Sequence, residues 1–160
     1  MRSTVYVIML AWFVAAFLSA CHRVTAKGAK GLVPQAQAVT TVPYQEARHY
    51  FIKNTVNRPV PRHINTASEF SRYFAMAATM GRNGQPTPID FNTHDVLVYD
   101  AGIVQRQLDI TPMALSRTQD KLILDIRIHN GTVLDYQMHP FVLLIVPKNL
   151  PRQVDFNIRK

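Results

Sequence analysis

The chain has 160 residues, 48% of them apolar, and 18 Lys and Arg against 10 Asp and Glu give a net charge of +8. That balance suits a leader plus one globular core and excludes a disordered chain. The single cysteine, Cys21, excludes an intrachain disulfide framework and a zinc site built from several cysteines.

The first element is a leader. Arg2 supplies a short positive region, Val5 to Leu18 an apolar run, and Ser19 and Ala20 the small residues of a cleavage site. The run is short for a spanning helix, which needs about 20 residues. Arg23, Lys27 and Lys30 follow it and would sit on the wrong side of a retained anchor. Leu18-Ser19-Ala20-Cys21 resembles the bacterial lipobox, which implies cleavage before Cys21 and a lipidated thiol at the new N-terminus. Ordinary secretion and an uncleaved anchor are the alternatives. His22, rather than Asp, at the second mature position implies the outer membrane by the same resemblance.

Three segments result: a lipoprotein signal peptide at 1–20, a lipidated flexible tether at 21–43, and one domain at 44–160. The tether holds no aromatic residue before Tyr44 and has an r.m.s. reach of roughly 25 Å.

In the domain, Ala47 to Lys53 carries aromatic and branched residues and reads as the first strand. Pro59 and Pro61 mark "NRPVPRHI" as a loop or an edge. A helix is expected from Thr66, which with Glu69 forms a capping box, to a stop at Gly81. Phe70, Tyr73, Phe74 and Ala77 make its apolar face. "GRNGQPTPIDF" is then a structured loop, and His94–Asp100 a largely buried strand. A weak strand follows at Arg106–Thr111. Lys121 to His129 alternates cleanly, and Asn130-Gly131 reads as a turn. A three-residue loop over His129–Gly131 would set Ile126, Leu124 and Leu122 against Leu134, Tyr136 and Met138 on one buried face. Phe141 to Val146 is a central strand, and Val154, Phe156 and Ile158 alternate in the last one. The fold class expected is α+β: one early helix packed on a curved antiparallel sheet or small barrel of five to seven strands.

Chemistry is sparse. The six histidines show no HxH or HExxH spacing, so no metal is expected, and no cofactor motif occurs. His94-Asp95 could pair as acid and base, but polar residues at a strand start explain it equally. No serine has glycine-elbow surroundings, so no catalytic residues are assigned. The basic residues are scattered from Arg48 to Lys148 without a groove-filling stripe. Such a surface suits anionic lipid, glycan or an acidic protein, and no nucleic acid.

The stretches "FSRYFAMAATMG", "PTPIDFNTHDVLVYDAG" and "MHPFVLLIVPK" resemble small exported domains of Bacteroidota-type lipoproteins and, more distantly, the protease-complex-subunit family of PrcB-like domains. The family's Thr-Gly-Gly-Tyr is absent, "DAGIVQRQL" keeping Gly102 alone. The resemblance, over Glu69 to Phe156, implies a non-enzymatic inhibitor or accessory subunit of a secreted peptidase. A rigid contact loop for that role is expected at Arg58, Pro59, Pro61 and Arg62, with both arginines projecting into solvent. The second proline-braced segment, Arg82 to Asp90, is a further candidate. The alternative function is a structural or assembly lipoprotein of the envelope that binds glycan or anionic lipid.

Overall fold

The computed structural model describes residues 38–77, 80–81 and 84–160. The signal peptide, Cys21, most of the tether and Arg82 lie outside the described residues. The described chain is mostly β with one short helix. Its strands are β1 (Thr40–Thr41), β2 (Gln45–Ala47), β3 (Tyr50–Ile52), β4 (His63–Ile64), β5 (Phe74–Met76), β6 (His94–Asp100), β7 (Val104–Arg117), β8 (Lys121–Met138), β9 (Phe141–Pro147) and β10 (Gln153–Arg159), with α1 at Ala67–Tyr73 between β4 and β5. They form two four-stranded sheets, β1-β7-β8-β10 (sheet A) and β2-β9-β6-β4 (sheet B), and a β3-β5 ribbon. The single sheet or barrel of five to seven strands is corrected accordingly: among the described residues no sheet closes, and β10 joins β8 in parallel rather than antiparallel.

Two cores explain the arrangement. Leu97, Tyr99, Val142, Leu144 and Val146 of sheet B pack on Leu115, Leu122, Leu124, Ile126 and Val154 of sheet A. Their neighbours Val96, Val98, Leu143 and Ile145 point the other way, onto Phe70, Tyr73 and Phe74. Strands covered on both faces need no alternation, hence the unbroken apolar run of β9. Pairing already begins at Thr40, and Val42 is buried between the sheets, so ordered structure reaches upstream of Tyr44.

Three local expectations are overturned. The first strand breaks at His49, whose φ of 62° turns the chain; Ala47 pairs with Leu143 in sheet B and Tyr50 with Met76 in the ribbon. The helix keeps its N-cap, the Glu69 amide donating to Thr66 Oγ1 at 3.2 Å, but stops at Tyr73. Phe74 is extended (φ −116°, ψ 149°), and Phe74–Met76 pair with β3. Phe70, Tyr73 and Phe74 are nevertheless all buried, because a strand leaving a short helix keeps the same apolar side covered.

Asn130-Gly131 is no turn. Both residues lie inside β8, which pairs with β7 from Val104↔Met138 to Arg117↔Leu122, and the reversal falls at Thr118–Asp120. Thr118 makes that turn, its backbone amide and hydroxyl both donating to the Lys121 carbonyl. Gly131 serves close approach instead: a Cβ there would lie 2.9 Å from Gln107 Cβ, beside the register shifts between Val104 and Leu108. Leu122, Leu124 and Ile126 are buried as expected, but Tyr136 is 59% exposed. His94 to Pro147 is thus one long hairpin that doubles back, so that its two ends face each other across the core. Asp100 holds the bend: its Oδ1 accepts from the Gly102 amide at 2.8 Å and lies 2.6 Å from His139 Nε2.

Candidate binding groove

β4 is an edge of sheet B and β10 an edge of sheet A, and both lie on one side of the molecule. The segment leading into β4 runs along that side because its two prolines cannot join a ladder, while the Arg62 carbonyl still accepts from the Val98 amide at 2.9 Å. From there the Arg62 side chain crosses to sheet A. Its Nη1 donates to the Val154 carbonyl at 3.1 Å, and its guanidinium lies 5.0 Å from the centre of the Phe156 ring. Phe156 in turn meets Tyr99 edge-on at 5.0 Å.

Arg62 divides two open depressions. One, of about 600 Å³, is lined by Pro61, His63, Arg152 and Gln153; the other, of about 690 Å³, by Pro59, Val60, Tyr99, Phe156 and Ile158. Of the residues singled out in the sequence, Pro59, Pro61 and Arg62 therefore come together. Arg58 does not join them: it is exposed and lies 5.4 Å over the Tyr73 ring of α1. Both arginines are exposed, as expected, and each also lies over an aromatic ring of its own domain. A cation over a ring gains about 0.5–1 kcal/mol at an exposed site, enough to hold a side chain that finds no carboxylate.

No protein-family model, curated protein or solved structure matches this chain.

The groove rests on a buried ionic cluster that local spacing could not reveal. His63 Nε2 lies 3.0 Å from Asp95 Oδ2, with both side chains at least nine-tenths buried. Lys148 Nζ stands 3.4 Å from Asp95 Oδ1, close enough to balance the charge without an aligned hydrogen bond. His63 Nδ1 is buried and unpaired. The β4–β6 register brings His63 and Asp95 diagonally together, His63 lying opposite Leu97. His94 is not the partner of Asp95: adjacent strand residues face opposite ways, and His94 Nδ1 is 2.8 Å from Thr93 Oγ1. The one available signal was an acidic residue at the head of the apolar run "VLVY", which a buried strand tolerates only with a counter-charge.

Charge in the groove is unevenly committed. Lys121 Nζ hydrogen-bonds Asp155 at 2.6 Å, and that bond holds the Asp155 carboxyl below the usual carboxylate range. Burial, with the neighbouring Asp100 charge, pushes the Tyr99 hydroxyl up, so it stays protonated. Among the described residues Arg58, Arg62 and Arg152 have no ion-pair partner. Arg62, whose charge also lowers the Asp155 carboxyl, and Arg152 line one depression without an ion pair of their own. No group of three or more metal-ligating side chains occurs among the described residues.

Proposed function

We propose that this chain is a non-enzymatic lipoprotein of the bacterial cell envelope, anchored through Cys21 and placed at the outer membrane. In this reading its domain binds an exported protein, a secreted peptidase that it inhibits or assists. The observation that supports the partner surface is that Arg62 and Arg152, neither held in an ion pair, line a groove left open between two sheet edges. The lipobox supports the anchor, and the family resemblance supports a peptidase as partner. The alternative, an assembly lipoprotein binding glycan or anionic lipid, draws on the same charge.

The test has two arms. Cys21→Ala is expected to release the full chain from membranes and to abolish labelling by a palmitate analogue; labelling that persists overturns the anchor. Tagged full chain is expected to capture an exported protein in a salt-sensitive way, and Arg58→Glu with Arg152→Glu to reduce recovery several-fold. Arg62→Glu is less suited to this arm, because it also removes the contacts to Val154 and Phe156. Retention on glycan or anionic vesicles with no protein recovered overturns the reading in favour of the alternative.

A further inference from the structure

Long stretches of strand edge are open among the described residues in β7 before Leu115, in β8 beyond Arg127 and in β10. An open edge is a template for another chain, and the first two carry their own protection. β7 has Pro112, which lacks an amide and whose carbonyl accepts from the Tyr44 hydroxyl at 3.2 Å. β8 is bulged: Val133 pairs with Arg106 and Met138 with Val104, so Leu134 to Gln137 face Gln105 alone. β10 has neither device. It contains no proline and pairs with β8 in unbroken register from Gln153↔Lys121 to Arg159↔Arg127.

The cover of β10 comes from another part of the chain. Arg62 is fixed to sheet B at its backbone, its carbonyl accepting from the Val98 amide at 2.9 Å. Its side chain reaches across to donate to the Val154 carbonyl at 3.1 Å and to lie 5.0 Å from the centre of the Phe156 ring. Since that carbonyl is turned away from β8, Val154 presents its main-chain groups to the open side. By alternation Phe156 and Ile158 do the same. A neighbouring strand would need the place that the guanidinium holds. Further along, among the described residues nothing hydrogen-bonds the outward groups of Phe156 and Ile158.

We propose that Arg62 guards the β10 edge, and that its removal lets β10 pair antiparallel with β10 of a second copy of this chain. The inference goes beyond the partner-binding reading and does not depend on it. A second copy is the occupant because one register makes β10 complementary to itself. Centred on Asn157, that register sets Phe156 opposite Ile158 and Asp155 opposite Arg159, each of them twice. Phe156 and Ile158 of the two strands then exchange the main-chain bonds that each edge leaves unmade. Asp155 already bonds Lys121 at 2.6 Å, and Arg159 stands 3.9 Å from Asp125. The pairing therefore lines up charges of alternating sign: Lys121 and Asp155, then Arg159 and Asp125 of the second copy. The neighbouring register, centred on Phe156, sets Arg152 against Lys160 and is disfavoured. With Arg62 in place the Val154 carbonyl is taken and the Phe156 ring is covered, and the chain stays single.

The test uses the full chain, in detergent and in membranes. Arg62→Met keeps the aliphatic stem over the groove and removes both the donor and the charge. Sedimentation in density-matched detergent is expected to show the wild type as a monomer. The variant should self-associate about tenfold more tightly, the worth of one hydrogen bond from a charged group. Hydrogen exchange at the Phe156 and Ile158 amides should slow in the variant. Asn157→Cys stands on the two-fold axis of the pairing. Under a mild oxidant it should give a disulfide-linked dimer in the Arg62→Met background, and none above the Asn157 control when Arg62 is retained. Ile158→Pro in the Arg62→Met background removes an outward amide and should restore the monomer. If Arg62→Met does not fold, Phe156→Leu takes away the ring beneath the guanidinium and is expected to move the chain toward dimer in the same assays. A variant that folds and stays monomeric, association that survives Ile158→Pro, or equal crosslinking with Arg62 present overturns the proposal.

Discussion

The two halves of β8 carry similar sequence and have opposite fates. In "KLILDIR" every second side chain is buried: Leu122, Leu124 and Ile126 are each 0% exposed. In "NGTVLDYQM" Leu134, Tyr136 and Met138 alternate in the same way, yet Leu134 and Met138 are only half-buried and Tyr136 is 59% exposed. The difference lies in the neighbours. The first half has β7 on one side and β10 on the other, with sheet B packed across its face. The second half has β7 alone, in a register broken twice between Val104 and Leu108. Alternation makes a strand, but only a second layer makes its apolar face a core.

The contrast can be broken most directly at Ile126. Ile126→Ala should cost about 2–5 kcal/mol in chemical denaturation, because a cavity opens between the two sheets. A loss near the surface range of about 0.5 kcal/mol would show that the inner half is not covered. At the junction of the halves, Gly131→Ala drives a methyl group against Gln107 Cβ and should cost about 1–3 kcal/mol, measured the same way. A neutral result would return Asn130-Gly131 to the role of an open turn. The bend that folds the hairpin gives the next effect. Asp100→Ala removes the acceptor of Gly102 and His139 and should lower stability by about 1–3 kcal/mol.

A smaller effect separates the halves by pH. Lys121 holds Asp155 beside the inner half with a lowered carboxyl pKa, so its contribution is fully present above the unfolded value, about 3.9. It disappears as the pH falls through the lower folded value. Thermal midpoints followed from pH 7 into acid should fall less steeply for Asp155→Asn than for the wild type; parallel curves would count against the bond. The smallest change belongs to the outer half: Tyr136→Ala should stay within about 0.5 kcal/mol, and a larger loss would mean that something covers it.

The groove was legible only in part. Proline and arginine in "NRPVPRHI" marked a stiff basic segment, and Pro59, Pro61 and Arg62 do line the opening. Its opposite wall was not readable, because Tyr99, Phe156 and Ile158 come from strands whose adjacency depends on which sheets pair. That Asp95 pairs with His63 and not His94 was hidden for the same reason: a diagonal contact between strands leaves no spacing along the chain.

Sequence alone determined the strands at His94–Asp100, over Phe141 to Val146 and around Val154, Phe156 and Ile158, since long apolar or alternating runs have few other solutions. It also determined the N-terminal cap of α1 and the burial of Phe70, Tyr73 and Phe74, whatever backbone carried them. Tertiary structure decided the rest. It ended the helix at Tyr73, where Phe74–Met76 gained a partner in β3. It ran β8 through Asn130-Gly131, because β7 offered an antiparallel neighbour along that length and Gln107 needed the room. It also set β10 parallel to β8, covering the inner half of β8 and leaving the outer half with β7 alone. Local patterns fix what a segment prefers, whereas pairing and layering are contests between segments, settled by which arrangement buries more apolar surface while satisfying the backbone.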